Sequence, residues 1–119
     1  MSVVTNILVS CSSLGGINFK EGIDLSLVCA AFDQKVNLIF VDAGINNLIK
    51  GQSSENLGDK NHVDIVKGLE FYDIDNIILE QETLDKTCLK SENLISSIQI
   101  KTMKEINELN FAADNLVVF

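Results

Sequence analysis

Short apolar runs recur along this chain, and most are followed by a stretch with helical spacing. Val3 to Ser10, Val36 to Val41 and Asn76 to Leu79 read as buried strands, with Leu94 to Ile100 a fourth and Leu116 to Phe119 a last. Strands this rich in branched apolar residues belong in a sheet covered on both faces. Asn18 is a cap candidate, with Glu21 three residues on, for a first helix reaching about Phe32. Asp33-Gln34-Lys35 connects it to the second strand, which ends in the turn residues Asp42-Ala43-Gly44. Ile45 to Ile49 suggests a short helix, and Gln52 to Asn61 a polar loop. Val63, Val66, Leu69, Glu70 and Phe71 fit a helix with one apolar face. Residues 80 to 90 are polar and compatible with a helix. Thr102-Met103-Lys104-Glu105 is a capping box opening the last helix. Strands alternating with helices predict an α/β fold: one domain over residues 1–119, a three-layer sandwich, with a mostly parallel five-stranded sheet and helices on both faces.

Composition narrows the function classes. The chain has 119 residues, 46% of them hydrophobic, enough for a sizeable core. No apolar run approaches the roughly 18–20 residues of a membrane span. No basic residue precedes the first apolar run, which ends at Cys11-Ser12-Ser13, so no secretory signal is expected. A net charge of −8 argues against direct nucleic-acid binding. All nine basic residues are lysines, so no planar bidentate clamp for phosphate or carboxylate exists. Cys11, Cys29 and Cys88 are odd in number and form no metal or redox pattern, which points to a reduced, cytoplasmic setting.

The first helix is apolar nearly all round. Ile23, Leu27, Ala30 and Ala31 form one stripe; Leu25, Val28 and Phe32 form a second; only Asp24 and Ser26 interrupt. A helix resting on a sheet from solvent needs one stripe. Another element of the chain or a partner subunit must cover the second.

Candidate chemistry is sparse. Cys11 falls where open α/β sheets place their ligand crevice, and a thiol there could act as a nucleophile. The plainer reading is a small buried hydrophobe at a strand end, and the arginine of a cysteine phosphatase is missing. The small, Gly-rich stretch from Ser10 to Gly16 could cradle an anion through backbone N–H groups, faintly like a flavodoxin loop. No Walker lysine or GxGxxG pattern accompanies it, and no Trp or Tyr is near to stack on a flavin. Asp42 is a lone carboxylate in good turn chemistry. His62, the only histidine, lies in a polar stretch with no partner thiol or imidazole. Cys29 sits within an apolar helix and reads as inert core. Cys88 lies between Lys86 and Lys90, which favour its thiolate, so it is the cysteine with the best local electrostatics for reaction. No catalytic constellation, cofactor site or metal cluster emerges.

Lys20-Glu21-Gly22-Ile23-Asp24, the run Leu38-Ile39-Phe40-Val41-Asp42-Ala43-Gly44, Lys50-Gly51-Gln52, Phe71-Tyr72-Asp73-Ile74 and the terminal Leu116-Val117-Val118-Phe119 resemble, in order and spacing, the TusC/DsrF members of the DsrE/DsrF-like family. The likeness covers nearly the whole chain. It implies an α/β domain that assembles with TusB-like and TusD-like subunits in a dimer of heterotrimers. Such a complex hands sulfur, as a cysteine persulfide, to a TusE-like carrier for 2-thiolation of the tRNA wobble uridine; DsrEFH relatives handle sulfur during its oxidation. In TusD/DsrE relatives the sulfur-accepting cysteine sits just after the third strand. Here that place falls to Glu80, in Leu79-Glu80-Gln81-Glu82, and a carboxylate cannot hold a persulfide. Cys88 lies about eight residues further on. The resemblance therefore implies a non-catalytic relay subunit. A direct persulfide carrier using Cys88 or Cys11 is the competing reading, and a small-ligand module using Ser10 to Gly16 a third.

Overall fold

In a computed structural model of the chain, residues 3–10, 18–48, 68–72, 74, 76–87, 94 and 98–119 are described. Strand β1 (Val4–Val9) leads to helix α1 (Asn18–Ala31), strand β2 (Lys35–Phe40) and a short 3-10 helix, Asp42–Leu48. A 3-10 turn, Leu69–Tyr72, precedes strand β3 (Asn76–Glu80), which runs directly into helix α2 (Gln81–Lys86). Strand β4 (Ile98–Lys101), helix α3 (Met103–Ala112) and strand β5 (Asn115–Val118) complete the order.

The five strands form one sheet in the order β4-β3-β2-β1-β5, and every pairing is parallel. The expected α/β sandwich is therefore observed, with a sheet that is wholly parallel. Handedness explains where the helices go. Successive crossovers from β1 to β4 move one way along the sheet, so right-handed connections place them all on one face. The step from β4 back past β1 to β5 moves the other way, so α3 lands on the opposite face.

The core divides accordingly. On the α1 face, Ile7, Val9, Leu38, Phe40, Ile77 and Leu79 from the strands pack with Ile23, Cys29, Leu48, Leu69 and Leu84. On the α3 face, Leu8, Ile39, Val41 and Ile78 meet Ile106 and Leu109. The alternation of side chains along each strand assigns neighbouring residues to opposite clusters. Burying this apolar surface is the main stabilising term, at roughly 25 cal/mol per Å².

The buried polar residues inside β1 and β2 are paired. Asn37 Nδ2 donates to Asn6 Oδ1 at 2.8 Å, and Asn6 Nδ2 donates to Asn110 Oδ1 at 2.9 Å. This amide chain ties β2 and β1 to α3. Thr5 Oγ1 donates to Gln34 Oε1 at 2.8 Å. The capping box forms as expected: Thr102 Oγ1 accepts from the Glu105 backbone N–H, and Glu105 accepts from the Thr102 N–H.

Some boundaries differ from expectation. Leu94 is buried and makes a single bridge, and β4 is described from Ile98 to Lys101; residues 95–97 of the expected strand lie outside the described residues. The helix expected through Leu69 and Phe71 lies mostly outside the described residues. Its described end is a 3-10 turn that buries Leu69 and leaves Phe71 84% exposed, so the two do not share an apolar face. Ser26, an interruption in the apolar pattern of α1, is fully buried and donates its hydroxyl proton to the Gly22 carbonyl at 2.8 Å, which removes the cost of burying it.

Candidate functional site

The carboxyl ends of β1, β2 and β3 lie side by side, the place where open parallel sheets bind ligands. β1 ends at Val9 and is followed by Ser10, β2 ends at Phe40 and is followed by Val41-Asp42, and β3 ends at Glu80. The backbone here is held closely. Val41 N–H donates to Val9 O at 3.0 Å, and Gly44 N–H donates to Val41 O at 2.9 Å. A Cβ built on Gly44 would overlap the Val9 carbonyl oxygen, so only glycine permits this approach of the turn to β1. Asp42 itself adopts φ 50, the left-handed region that aspartate tolerates better than most residues.

Glu80 is the buried ionisable residue of this corner, 4% exposed. It ends β3 and stands at the N-cap of α2 with extended backbone, but makes no side-chain cap bond. Its Oε1 accepts the Thr83 hydroxyl at 2.9 Å, and Thr83 Oγ1 in turn accepts the Asp42 N–H at 3.0 Å. A three-residue chain thus links the strand-end carboxyl to the left-handed turn after β2. The second carboxyl oxygen, Oε2, is buried without a hydrogen-bond partner. A buried, half-satisfied carboxyl is costly, so its presence calls for a reason beyond packing. Glu82, two residues on, is turned elsewhere: its Oε2 accepts the Met103 N–H at 3.0 Å and helps close the start of α3.

The switch point of the sheet lies between β1 and β5, where the chain order reverses. It is closed by protein. Ser10 donates to Phe119 O through both its N–H, at 2.9 Å, and its hydroxyl, at 2.8 Å. The Phe119 ring lies against Gly22, where an added Cβ would stand 3.3 Å from it.

The structure places the sequence candidates unevenly. Glu80 sits at the strand end, buried. Asp42 is exposed at the turn, and its backbone, rather than its carboxylate, enters the Glu80 chain. Cys29 is a free thiol buried in the core, as its apolar helix predicted. Cys11, Cys88, His62, Lys90 and the Cys11–Gly16 part of the loop lie outside the described residues, while Lys86 is exposed at the end of α2. Among the described residues no group of three or more His, Cys, Asp or Glu could hold a metal ion, and no helix is long and apolar enough to cross a membrane. Thr83 was not foreseen. Its signal is modest: a hydroxyl three residues after a strand-end glutamate, at the spacing that brings a helix's third residue back over its cap.

What this corner can do follows from its atoms. Persulfide transfer breaks the donor's S–S bond, forms a new S–S bond on an acceptor thiolate and releases the donor as thiolate. The acceptor must be sulfur, and Glu80 offers only oxygen. Among the described residues, this corner presents carboxyl oxygen and hydroxyl groups and no thiol.

The profile of the DsrE/DsrF-like family matches residues 7–119, and the chain belongs to that family. Among its relatives, the Protein TusC homolog of Aliivibrio fischeri is 28% identical over 100 residues, covering 84% of this chain and 85% of the relative. The intracellular sulfur oxidation protein DsrF of Allochromatium vinosum is 30% identical over 103 residues, covering 87% and 72%. Among solved structures, the ychN protein from E. coli superposes with a TM-score of 0.80 over the whole of both chains, at 15% identity. That likeness is one of fold.

Proposed function

We propose that this chain is a non-catalytic subunit of a sulfur-relay complex of the TusBCD or DsrEFH kind. Family membership and the similarity to TusC homologues and DsrF support a sulfur-relay subunit. Glu80 is the observation that carries the non-catalytic part. The resemblance puts the relay's sulfur-accepting cysteine at this strand end in TusD-like relatives, and here the position holds a buried carboxyl engaged with Thr83. In this reading the complex is a dimer of heterotrimers with TusB-like and TusD-like subunits, it delivers persulfide sulfur to a TusE-like carrier, and the end use is 2-thiolation of the tRNA wobble uridine. The chain works in the cytoplasm, as one domain, without a cofactor and without touching nucleic acid itself.

The DsrF match, at an identity as high as that of the TusC homologues, favours a second end use in which the same kind of subunit serves sulfur oxidation. Both uses share the test. The chain is co-expressed with TusB-like and TusD-like chains, the complex is loaded from a persulfide donor, and the mass of each cysteine peptide is read. One co-eluting complex with added sulfur on the TusD-like chain and none on Cys11, Cys29 or Cys88 is expected. A stable persulfide on Cys88 or Cys11 would replace this reading with that of a direct carrier.

A further inference from the structure

Helix α1 has an outer stripe that the fold leaves bare. Glu21, Asp24, Val28 and Phe32 follow one another at spacings of three and four residues, so they share one side of the helix and its end. All four are exposed, Val28 at 52% and Phe32 at 75%. The Leu69–Tyr72 turn touches α1 and packs into the same face of the sheet through Leu69. It exposes Phe71 at 84% and Tyr72 at 61%. The outer side of this layer therefore carries three aromatic rings and a valine outside the core. Aromatic side chains bury on the order of 150–250 Å² each, so three rings supply more than half of the ~800 Å² a partner buries in a standard interface.

The charges around these residues choose the occupant. Glu21 and Asp24 lie on the stripe itself, and Asp33 follows Phe32 and is exposed. Exposed Lys20 and Lys35 stand at its margins. A second copy would bring the same acidic residues and a net charge of −8 against them. Anionic lipid and nucleic acid meet the same repulsion.

We propose that this face docks a different protein chain whose contacting surface is basic around an apolar centre. The inference deepens the subunit reading and rests on it, because it states what chemistry a partner brings.

Tyr72 is the only tyrosine and the chain has no tryptophan, so intrinsic fluorescence reports on this face alone. The full chain is titrated with a lysine-rich amphipathic helical peptide lacking Tyr and Trp. Tyr72 emission should change on binding. Affinity should fall at least tenfold in Val28→Ser/Phe32→Ser, fall again with added salt, and fall in Glu21→Gln/Asp24→Asn. The single variant Phe32→Ser repeats the apolar test at minimal risk to folding. Unchanged Tyr72 emission, or variants that bind like wild type, overturns the inference. In parallel, Val28→Ser/Phe32→Ser is co-expressed with TusB-like and TusD-like chains. If the wild type assembles and the variant assembles equally well, the surface assignment fails. If the wild type never assembles while the peptide result holds, the relay reading fails and the docking surface stands. A wild-type homo-oligomer abolished by the variant would overturn the choice of partner.

Discussion

Glu80 is informative for the group it lacks as much as for the one it has. Oε1 is engaged by Thr83, and through it by the Asp42 N–H, while Oε2 is buried alone. Glu80→Gln keeps the volume and an acceptor for Thr83 while replacing the acid with a neutral amide. It should be within about 1 kcal/mol of wild type in urea unfolding, or more stable. Glu80→Ala strips the acceptor and opens a cavity, and should cost about 2–3 kcal/mol. Equal losses for both would show that the acid itself, and not only an acceptor for Thr83, is needed for folding. Gly44 makes a harder demand. Gly44→Ala forces a methyl group into the Val9 carbonyl, and overpacking of this kind costs about 1–3 kcal/mol or more. A thermal midpoint lowered by about 5–10 °C is expected, and an unchanged one would contradict the close approach of turn and strand. At this scale the sequence was partly legible. Asp42-Ala43-Gly44 advertised a turn, but the reason for its glycine is a long-range contact with β1. Glu80 stood out by position, whereas Thr83 and the buried amides Asn6 and Asn37 did not. Hydrogen bonds between side chains far apart in sequence leave no periodic trace.

Elements were easier to read, because their signals are local. The capping box at Thr102 and Glu105 forms where its spacing placed it. Its electrostatics follow. Hydrogen bonds from the Thr102 backbone N–H and side chain, with a smaller contribution from Lys101, hold the Glu105 carboxyl below its ordinary value near 4.5. A carboxyl depressed in the folded state favours folding above its unfolded value, and this contribution is lost as pH falls through the folded value. In a carboxyl titration followed by NMR, Thr102→Ala should move the Glu105 midpoint upward, toward the ordinary value; no movement would contradict the cap. The two apolar stripes of α1 were visible too, but which of them meets the sheet was not. Ile23, Leu27 and Ala30 pack inward, Leu25 joins them in part, and Val28 and Phe32 stay exposed. The expected fourth strand is matched at both described ends, by the buried, bridged Leu94 and by β4 from Ile98.

For the whole molecule, the alternating pattern and the right-handed crossover rule together specify the parallel sheet and the face each helix occupies. Function is less visible at this scale, since a fold hosts many chemistries. Among the described residues no group could hold a metal ion, and the strand-end corner presents the Glu80 carboxyl. Apolar side chains left uncovered on α1 and the neighbouring turn support the proposed role in association. The most direct test is persulfide loading of the complex co-expressed with TusB-like and TusD-like chains, read as the mass of every cysteine peptide in each subunit. The account predicts a single assembly in which sulfur accumulates on the TusD-like chain and this chain remains unmodified. Persulfide on this chain at Cys88 or Cys11, or a chain that stays monomeric beside both partners, would contradict it.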